Sequence, residues 1–457
     1  MPPVTRRARL GALTLVPLLA IAACSSDGET DDGPAATPPA AASPDSTEDG
    51  TDDGTGSAPD DEGADETDQT DGVDDDDPAG PEEDDATDAP VPAGQPVEIT
   101  LAAAGDILPH SWVNTSARMY AGSDDPSMYP VDGDSFDFTP MFADVADLIS
   151  SADLALCHLE TPVSLDNTNL SYPDTLSFNS PRELADALAG AGYDGCDFAS
   201  NHTMDRNLQG VADTEQALRE AGMGYAGPTA HEDQAGRAEV YEVATDAGEA
   251  QVAHLAYTYT YPNSGTPTTH IPGEAPWLDQ AHWPTLGSAG ILEQAQDARE
   301  DDADFVVVSM HWGNEYQAEP TADQRQIAED LLGSDAVDLI LGTHVHLVQP
   351  CEQINGKHVI YGLGNSLSNQ SPMTASSLLP QTQEGMVALF TLSRDEQGTV
   401  STSMTYQPTR VEIPPEIVPG HIIRLVSPQD HPDSWERTVE AVDLLGGCGA
   451  APIEPTP

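Results

Sequence analysis

Histidine and carboxylate side chains collect in this sequence where apolar runs stop. "LILGTHVH" delivers His344 and His346. "VVVSMHWGNEY" delivers His311 and Glu315, and "ALCHLETP" delivers His158 and Glu160. "AAAGDILPH" ends in Asp106 and His110, and "FASNHTMD" in Asn201 and His202 with Asp205 close behind. Neutral imidazoles and carboxylates together suit Zn, Mn or Fe, and a carboxylate can bridge two ions. Two ions about 3.5–4 Å apart clamp a phosphoester and activate a water. Taken singly, each residue has a plainer role. An Asp after a strand is more often a helix cap or turn former, and a lone His there is ordinary. Five such runs ending this way, in a chain with only 13 histidines, make a metal site the better reading. If His344 and His346 continue a strand, alternation puts both side chains on one face.

The elements that must position these residues follow from the apolar pattern. From Val97 onward, short apolar runs alternate with helical stretches, the signature of an α/β domain. "VEITLAAAGD", "DLALCHLE", "CDFAS", "AQVAHLAYTYT", "ADFVVVSMHWG" and "VDLILG" read as strands. "HVIYGLGNS", "GMVALFTLSR" and "VSTSMTYQPTRVE" read as later strands, the last of them antiparallel. "MFADVADLISSA" predicts a helix. Another opens at "SPRE", with Ser180 as cap, Pro181 at the first helical position and Glu183 closing a capping box. A third opens at Thr321 with Gln324 completing its box. The C-terminal edges of parallel strands are where open α/β sheets hold ligands. After about Pro414 the chain is Pro-rich and reads as irregular.

Composition narrows the function. The formal net charge is −64, from 79 acidic and 15 basic residues, and Lys357 is the only lysine. Phosphate backbones are repelled by such a surface, which excludes nucleic acid as a partner. A polyanionic substrate needs bound cations to reverse the local field. Residues 1–24, "MPPVTRRARLGALTLVPLLAIAAC", combine a basic start (Arg6, Arg7, Arg9) with an apolar stretch too short to span a bilayer. They read as an export signal. "IAAC" resembles a lipobox, which makes Cys24 the expected lipidated residue and the membrane a partner through that anchor. Residues 25–94 carry 25 acids and no lysine or arginine and read as a disordered, self-repelling tether. The folded domain is expected over residues 95–414, followed by a C-terminal extension, 415–457. Four cysteines remain in an oxidising compartment: Cys157, Cys196, Cys351 and Cys448. Three pairings exist, besides free thiols. Cys157–Cys196 with Cys351–Cys448 is favoured, because the first two precede neighbouring motifs.

The motifs also carry a family resemblance. "GDILPH", "ADLALCHLETPVS", "FASNHTMDRNLQG", the stretch from "VVVSMHWGNEY" to "LGTHVHLVQP", and "VIYGLGNS" together resemble the CapA family of capsule or poly-gamma-glutamate synthesis proteins. That family lies within the calcineurin-like metallophosphoesterases. The resemblance implies a four-layer sandwich of two facing β-sheets flanked by helices. It implies two divalent ions (Mn, Fe or Zn) held by Asp106, Glu160, Asn201, His311, His344 and His346. Glu160 would bridge, and His202 would be the general acid. Gln349, Pro350, Tyr361, Gly364 and Asn365 would shape the pocket wall. His110 and His158 are additional candidate ligands, since the family's usual Asn-Leu-Glu is His158-Leu159-Glu160 here. Ser200 and Ser366 are further departures from the family pattern. The implied function is a metal-dependent, phosphoesterase-type hydrolase at the cell surface, working with capsule or polyglutamate synthesis machinery. A non-catalytic accessory or polymer-binding lipoprotein is the alternative. A solute-binding lipoprotein fits the signal and the α/β body, but needs no such ligand set.

Overall fold

The structure is a computed structural model, and it describes residues 94–454 apart from 131–132, 174, 264–270 and 416–419. The signal segment, Cys24 and all but the last residue of the acidic tether lie outside the described residues. Chain order maps simply onto two sheets. The strands β1 (Val97–Leu108), β2 (Leu154–Leu159), β3 (Gly195–Asp197) and β4 (Gly224–Ala226) enter the first sheet. The second takes β5 (Glu239–Thr245), β6 (Gly248–Thr258), β7 (Phe305–His311), β8 (Leu339–Thr343), β9 (Cys351–Ile354) and β10 (Lys357–Ile360). The chain then returns to the first sheet with β11 (Asn365–Ser368), β12 (Glu384–Arg394), β13 (Val400–Glu412), β14 (Ile422–Leu425) and β15 (Ala451–Pro452). The sheet orders are β14-β13-β12-β1-β2-β3-β4, with β11 on β1 and β15 on β13, and β5-β6-β7-β8-β10-β9. β1 to β4 are mutually parallel, as are β6, β7, β8 and β10.

Side-chain alternation explains the layering. Ile99, Leu101 and Ala103 of β1 meet Val307 of β7 and Leu339 and Leu341 of β8 in one core between the sheets. Ala102 and Ala104 face the other way, against Leu184, Leu188 and Val211 of the helices outside the first sheet. Val306, Val308 and Ile340 pack on Ile291, Ala295, Ala328 and Leu331 of helices Trp283–Glu300 and Ala322–Leu332. Both faces of the central strands are therefore covered, which is why they read as unbroken apolar runs. The result is the expected helix–sheet–sheet–helix sandwich.

Four local expectations are corrected. "MFADVADLISSA" forms two short helices, Thr139–Phe142 and Ala146–Ile149, rather than one. Ser180 does not cap the helix Glu183–Gly190. Its backbone bridges Val163 and its hydroxyl bonds Thr161. The side chain of Asn167 replaces it, accepting from the Arg182 amide at 2.8 Å and donating to Glu183 at 2.8 Å. The segment beyond Pro414 is not irregular. It supplies β14, helix Pro432–Val442 and β15, and Arg437 binds the buried Glu384 of β12. "HVIYGLGNS" is two strands, β10 and β11, in different sheets. The disulfides Cys157–Cys196 and Cys351–Cys448 follow the favoured pairing. Among the described residues no helix is long and apolar enough to cross a membrane.

Candidate metal centre

The parallel strands of both sheets end at one place. β1 delivers Asp106, β2 delivers His158 and then Glu160, and β3 leads to Asn201 and His202. From the facing sheet, β7 ends at His311 and β8 leads to His344 and His346. All eight residues are at most 5% exposed. The approach of β11 depends on Gly105. A Cβ there would lie 1.9 Å from the Gly364 carbonyl, so only glycine lets that backbone pass. The Asp106 amide then bonds the Gly364 carbonyl at 2.9 Å, and Asn365 sits opposite Asp106 in the ladder.

His344 and His346 do not continue β8, which stops at Thr343. Both have left-handed backbones, with φ of 91° and 57°. Such positions cost about 1–3 kcal/mol each in non-glycine residues and collect at functional sites. The turn aims the His344 amide at Asp106 Oδ1, 3.2 Å away. His346 Nδ1 lies 2.9 Å from Asp106 Oδ2 and 3.1 Å from Asn365 Oδ1, and its Nε2 is 3.8 Å from Glu160. Ligand atoms of Asp106, Glu160 and His346 all lie within 4.8 Å of one another.

Beside this cluster runs a row of imidazoles. The rings of His158 and His311 stack at 4.9 Å, and those of His311 and His344 lie 4.6 Å apart. His311 Nε2 is 3.0 Å from Asn201 Oδ1, and its Nδ1 is 3.2 Å from the Thr343 hydroxyl. Tyr259 lies against His344 at 4.5 Å. His202 stands nearby, its Nδ1 held at 2.8 Å by Asp205. Asp205 is itself fixed by the Phe178 amide at 2.6 Å, and the Phe178 ring packs edge-on against His202. His110 is only partly buried. Its Nδ1 is 3.0 Å from the Leu108 carbonyl, its ring packs against Phe178, and His346 and His202 are close enough to act on its charge. Gln349 binds Gln324 and the Gln317 carbonyl. Tyr361 stacks on Trp312 in the core outside the second sheet, and its hydroxyl reaches Glu352. Of the expected pocket wall, Gly364 touches the cluster through its carbonyl on the Asp106 amide, and Asn365 through its side chain on His346.

Electrostatics fits a cation. Burial pushes the Glu160 carboxyl up to about 7, against the pull of His346. Burial disfavours a charged His346, yet Glu160 and Asp106 overcome it and raise its pKa to about 10. For His158 burial is likewise outweighed, by Asp197, and the pKa rises to about 9. Burial, then neighbouring imidazoles, holds His311 and His344 well below the usual value. These two are neutral, whereas His158 and His346 would release a proton on binding a metal ion. Both Glu160 oxygens, His158 Nε2 and His344 Nδ1 are buried without a hydrogen-bond partner. Buried polar atoms are rarely left so, and an unpaired buried carboxylate is costly. A divalent ion among them removes both problems, so the donor set fits a metal. Asp197, which holds His158, is the residue that sequence reasoning missed. Its only signal is the pairing of β2 with β3.

Comparison with known proteins places this geometry in context. The family described as bacterial capsule synthesis protein PGA_cap matches residues 100–370. The capsule biosynthesis protein CapA of Bacillus anthracis is 26% identical over 287 residues, 62% of each chain. The PGA biosynthesis protein CapA of Bacillus subtilis is 25% identical over 230 residues, 50% of this chain and 57% of that protein. The chain thus spans about 60% of the length of these curated relatives. Among solved structures, a Mycoplasma pneumoniae phosphatase aligns with a TM-score of 0.35 and 14% identity, over 68% of this chain and 94% of its own. The calcineurin-like phosphoesterase YfkN of Bacillus subtilis aligns with a TM-score of 0.36 and 12% identity, over 68% and 90%.

Proposed function

The chain belongs to the bacterial capsule synthesis protein PGA_cap family, and from that premise we propose a lipid-anchored, metal-dependent hydrolase of the phosphoesterase type. It serves the synthesis, export or attachment of poly-gamma-glutamate or another capsule polymer. The observation that carries the reading is Glu160. It is fully buried, neither of its oxygens has a hydrogen-bond partner, and it lies with Asp106 and His346 in one cluster of ligand atoms within 4.8 Å of one another. Asp106, Glu160 and His346 would hold one divalent ion, and Asn201, His311 and His344 would hold a second, with Glu160 available to both. Such ions polarise a phosphoester and lower the pKa of a water. They also reverse the field of a strongly acidic protein, so that an anionic substrate can approach. His202 gives a proton to the leaving oxygen. Asp205 fixes its Nδ1, which leaves Nε2 as the nitrogen that faces the substrate. Cys24 supplies the lipid anchor that keeps the domain at the outer face of the membrane.

The test begins with elemental analysis of the purified protein for Mn, Fe and Zn. Turnover of generic phosphomonoesters and phosphodiesters follows. Joint replacement His344→Ala and His346→Ala removes bound metal and reduces turnover to background. His202→Ala keeps the metal and slows turnover about 10²–10⁴-fold. A protein that binds no metal, and whose behaviour the double replacement leaves unchanged, would sink the hydrolase reading in favour of a non-catalytic accessory role.

A further inference from the structure

One buried pair beside the centre has no structural reason to be polar. His158 sits on a strand, "LALCHL", buried along its whole length. Asp197 is its direct partner across the β2–β3 ladder. The preceding pair, Cys157 and Cys196, is also in register and points to the helical side, where it forms a disulfide. Alternation therefore turns His158 and Asp197 into the space between the sheets. There Asp197 Oδ1 lies 2.7 Å from His158 Nδ1, with both residues at most 3% exposed. The carboxylate fixes the proton on Nδ1, and the remaining nitrogen, Nε2, has no hydrogen-bond partner. An orphaned buried nitrogen is unfavourable. A small apolar residue would fill the strand without that penalty.

We propose that His158 is a further metal ligand, joining Asn201, His311 and His344 at the second position, and that Asp197 is the residue that positions it. The assignment to that position follows from stacking: the His158 ring lies on His311, and His311 neighbours His344. The carboxylate behind the ring is the partner that metal-ligating histidines ordinarily have. The imidazole row is looser than the Asp106–Glu160–His346 cluster, so an ion draws its rings inward. The inference rests on the two-ion reading above and adds a chemical asymmetry to it. One position is rich in carboxylate oxygen, and the other is built from three imidazoles and an amide. The nitrogen-rich position favours Zn or Fe, and the oxygen-rich one is the better host for Mn.

Zinc titration of the full chain against a competing chelator tests this, with X-ray absorption to count imidazoles. Wild type takes up two tightly held Zn²⁺. His158→Gln keeps one and binds the other at least tenfold more weakly, and the mean imidazole count per zinc falls from about two to about one and a half. Asp197→Asn keeps the volume but removes the charge behind the ring and no longer fixes its tautomer, and weakens the same position about 10–100-fold. Thermal melts in chelator show whether each variant is folded. If His158→Gln fails to fold, Asp197→Asn carries the test alone. Two zinc ions held within twofold of wild-type affinity in the folded variants, with an unchanged imidazole count, would overturn the proposal and leave the two-ion reading standing. Wild type that binds no zinc overturns both.

Discussion

At the scale of single residues, Glu160 separates what the fold needs from what a metal needs. A carboxylate with no hydrogen-bond partner at a fully buried position contributes little to the stability of metal-free protein. Glu160→Gln is nearly isosteric and removes the charge. Its melting temperature without metal is expected within about 1 °C of wild type, which is less than about 1 kcal/mol in a domain of this size. Added Zn²⁺ or Mn²⁺ should raise the wild-type melting point, by the equivalent of about 2.7 kcal/mol at a hundredfold excess over Kd. The variant should show almost none of that rise. A thermal shift series with and without metal checks both halves. A large loss in metal-free protein would instead make Glu160 a structural residue. This residue was readable in the sequence, as were Asp106, Asn201, His202 and the three histidines of the facing sheet. Each stands where an apolar run stops. Asp197 was not readable, because "CDFAS" looks like an ordinary strand and its partner lies 39 residues earlier. Long-range pairing, rather than local pattern, gives it a role.

Elements were legible where their determinants are local. The box at Thr321 forms as expected, with Gln324 bonded to Thr321 in both directions at 3.2 and 2.9 Å. The box at Ser180 does not form, because Thr161 and Val163 engage that residue and Asn167 reaches in from a loop. The turn after β8 was misread for a similar reason. An apolar run predicts a strand, but not the left-handed backbone that ends it at His344. These differences predict different mutational responses. Thr321→Ala should cost about 1 kcal/mol and leave metal affinity unchanged, since its helix lies on the outer layer. Gly105→Ala should cost about 1–3 kcal/mol or more by overpacking, because the added carbon meets the Gly364 carbonyl. It should also weaken metal binding, by moving Asn365 and Asp106 apart. Denaturant melts and zinc titrations on the two variants distinguish a purely stabilising element from one that builds the centre.

Across the whole molecule, the C-terminal segment is a clasp rather than an extension, which its proline content concealed. Cys448 ties it to β9 of the second sheet, while β14 pairs with β13 of the first. His421 is buried at its start, its Nδ1 2.7 Å from the Ser116 hydroxyl and its Nε2 3.0 Å from Asn369 Oδ1. Burial lowers its pKa to about 3. His254, His311, His344 and His358 are lowered too, in each case chiefly by burial. These five hold protons less readily in the folded protein than in the unfolded chain, so they take up protons on unfolding once the pH falls below about 6.5. Their contribution is complete above that pH and declines as the pH falls towards the folded values. His158 and His346, whose values are raised, act in the opposite direction near pH 6.5 and add little slope towards pH 5, where the unfolded chain is protonated as well. Carboxylates act in the opposite direction, most of them near pH 4, where they titrate, and Glu160 already within this window, because burial raises its folded value to about 7. Between pH 6.5 and 5 the buried histidines therefore dominate. Metal-free protein should lose up to about 1.4 kcal/mol per pH unit for each such group. Urea unfolding at several pH values in that window should show more than one proton taken up, and His421→Asn should reduce the uptake by about one. A stability that holds constant or rises across the window would mean that water reaches these imidazoles in the folded protein.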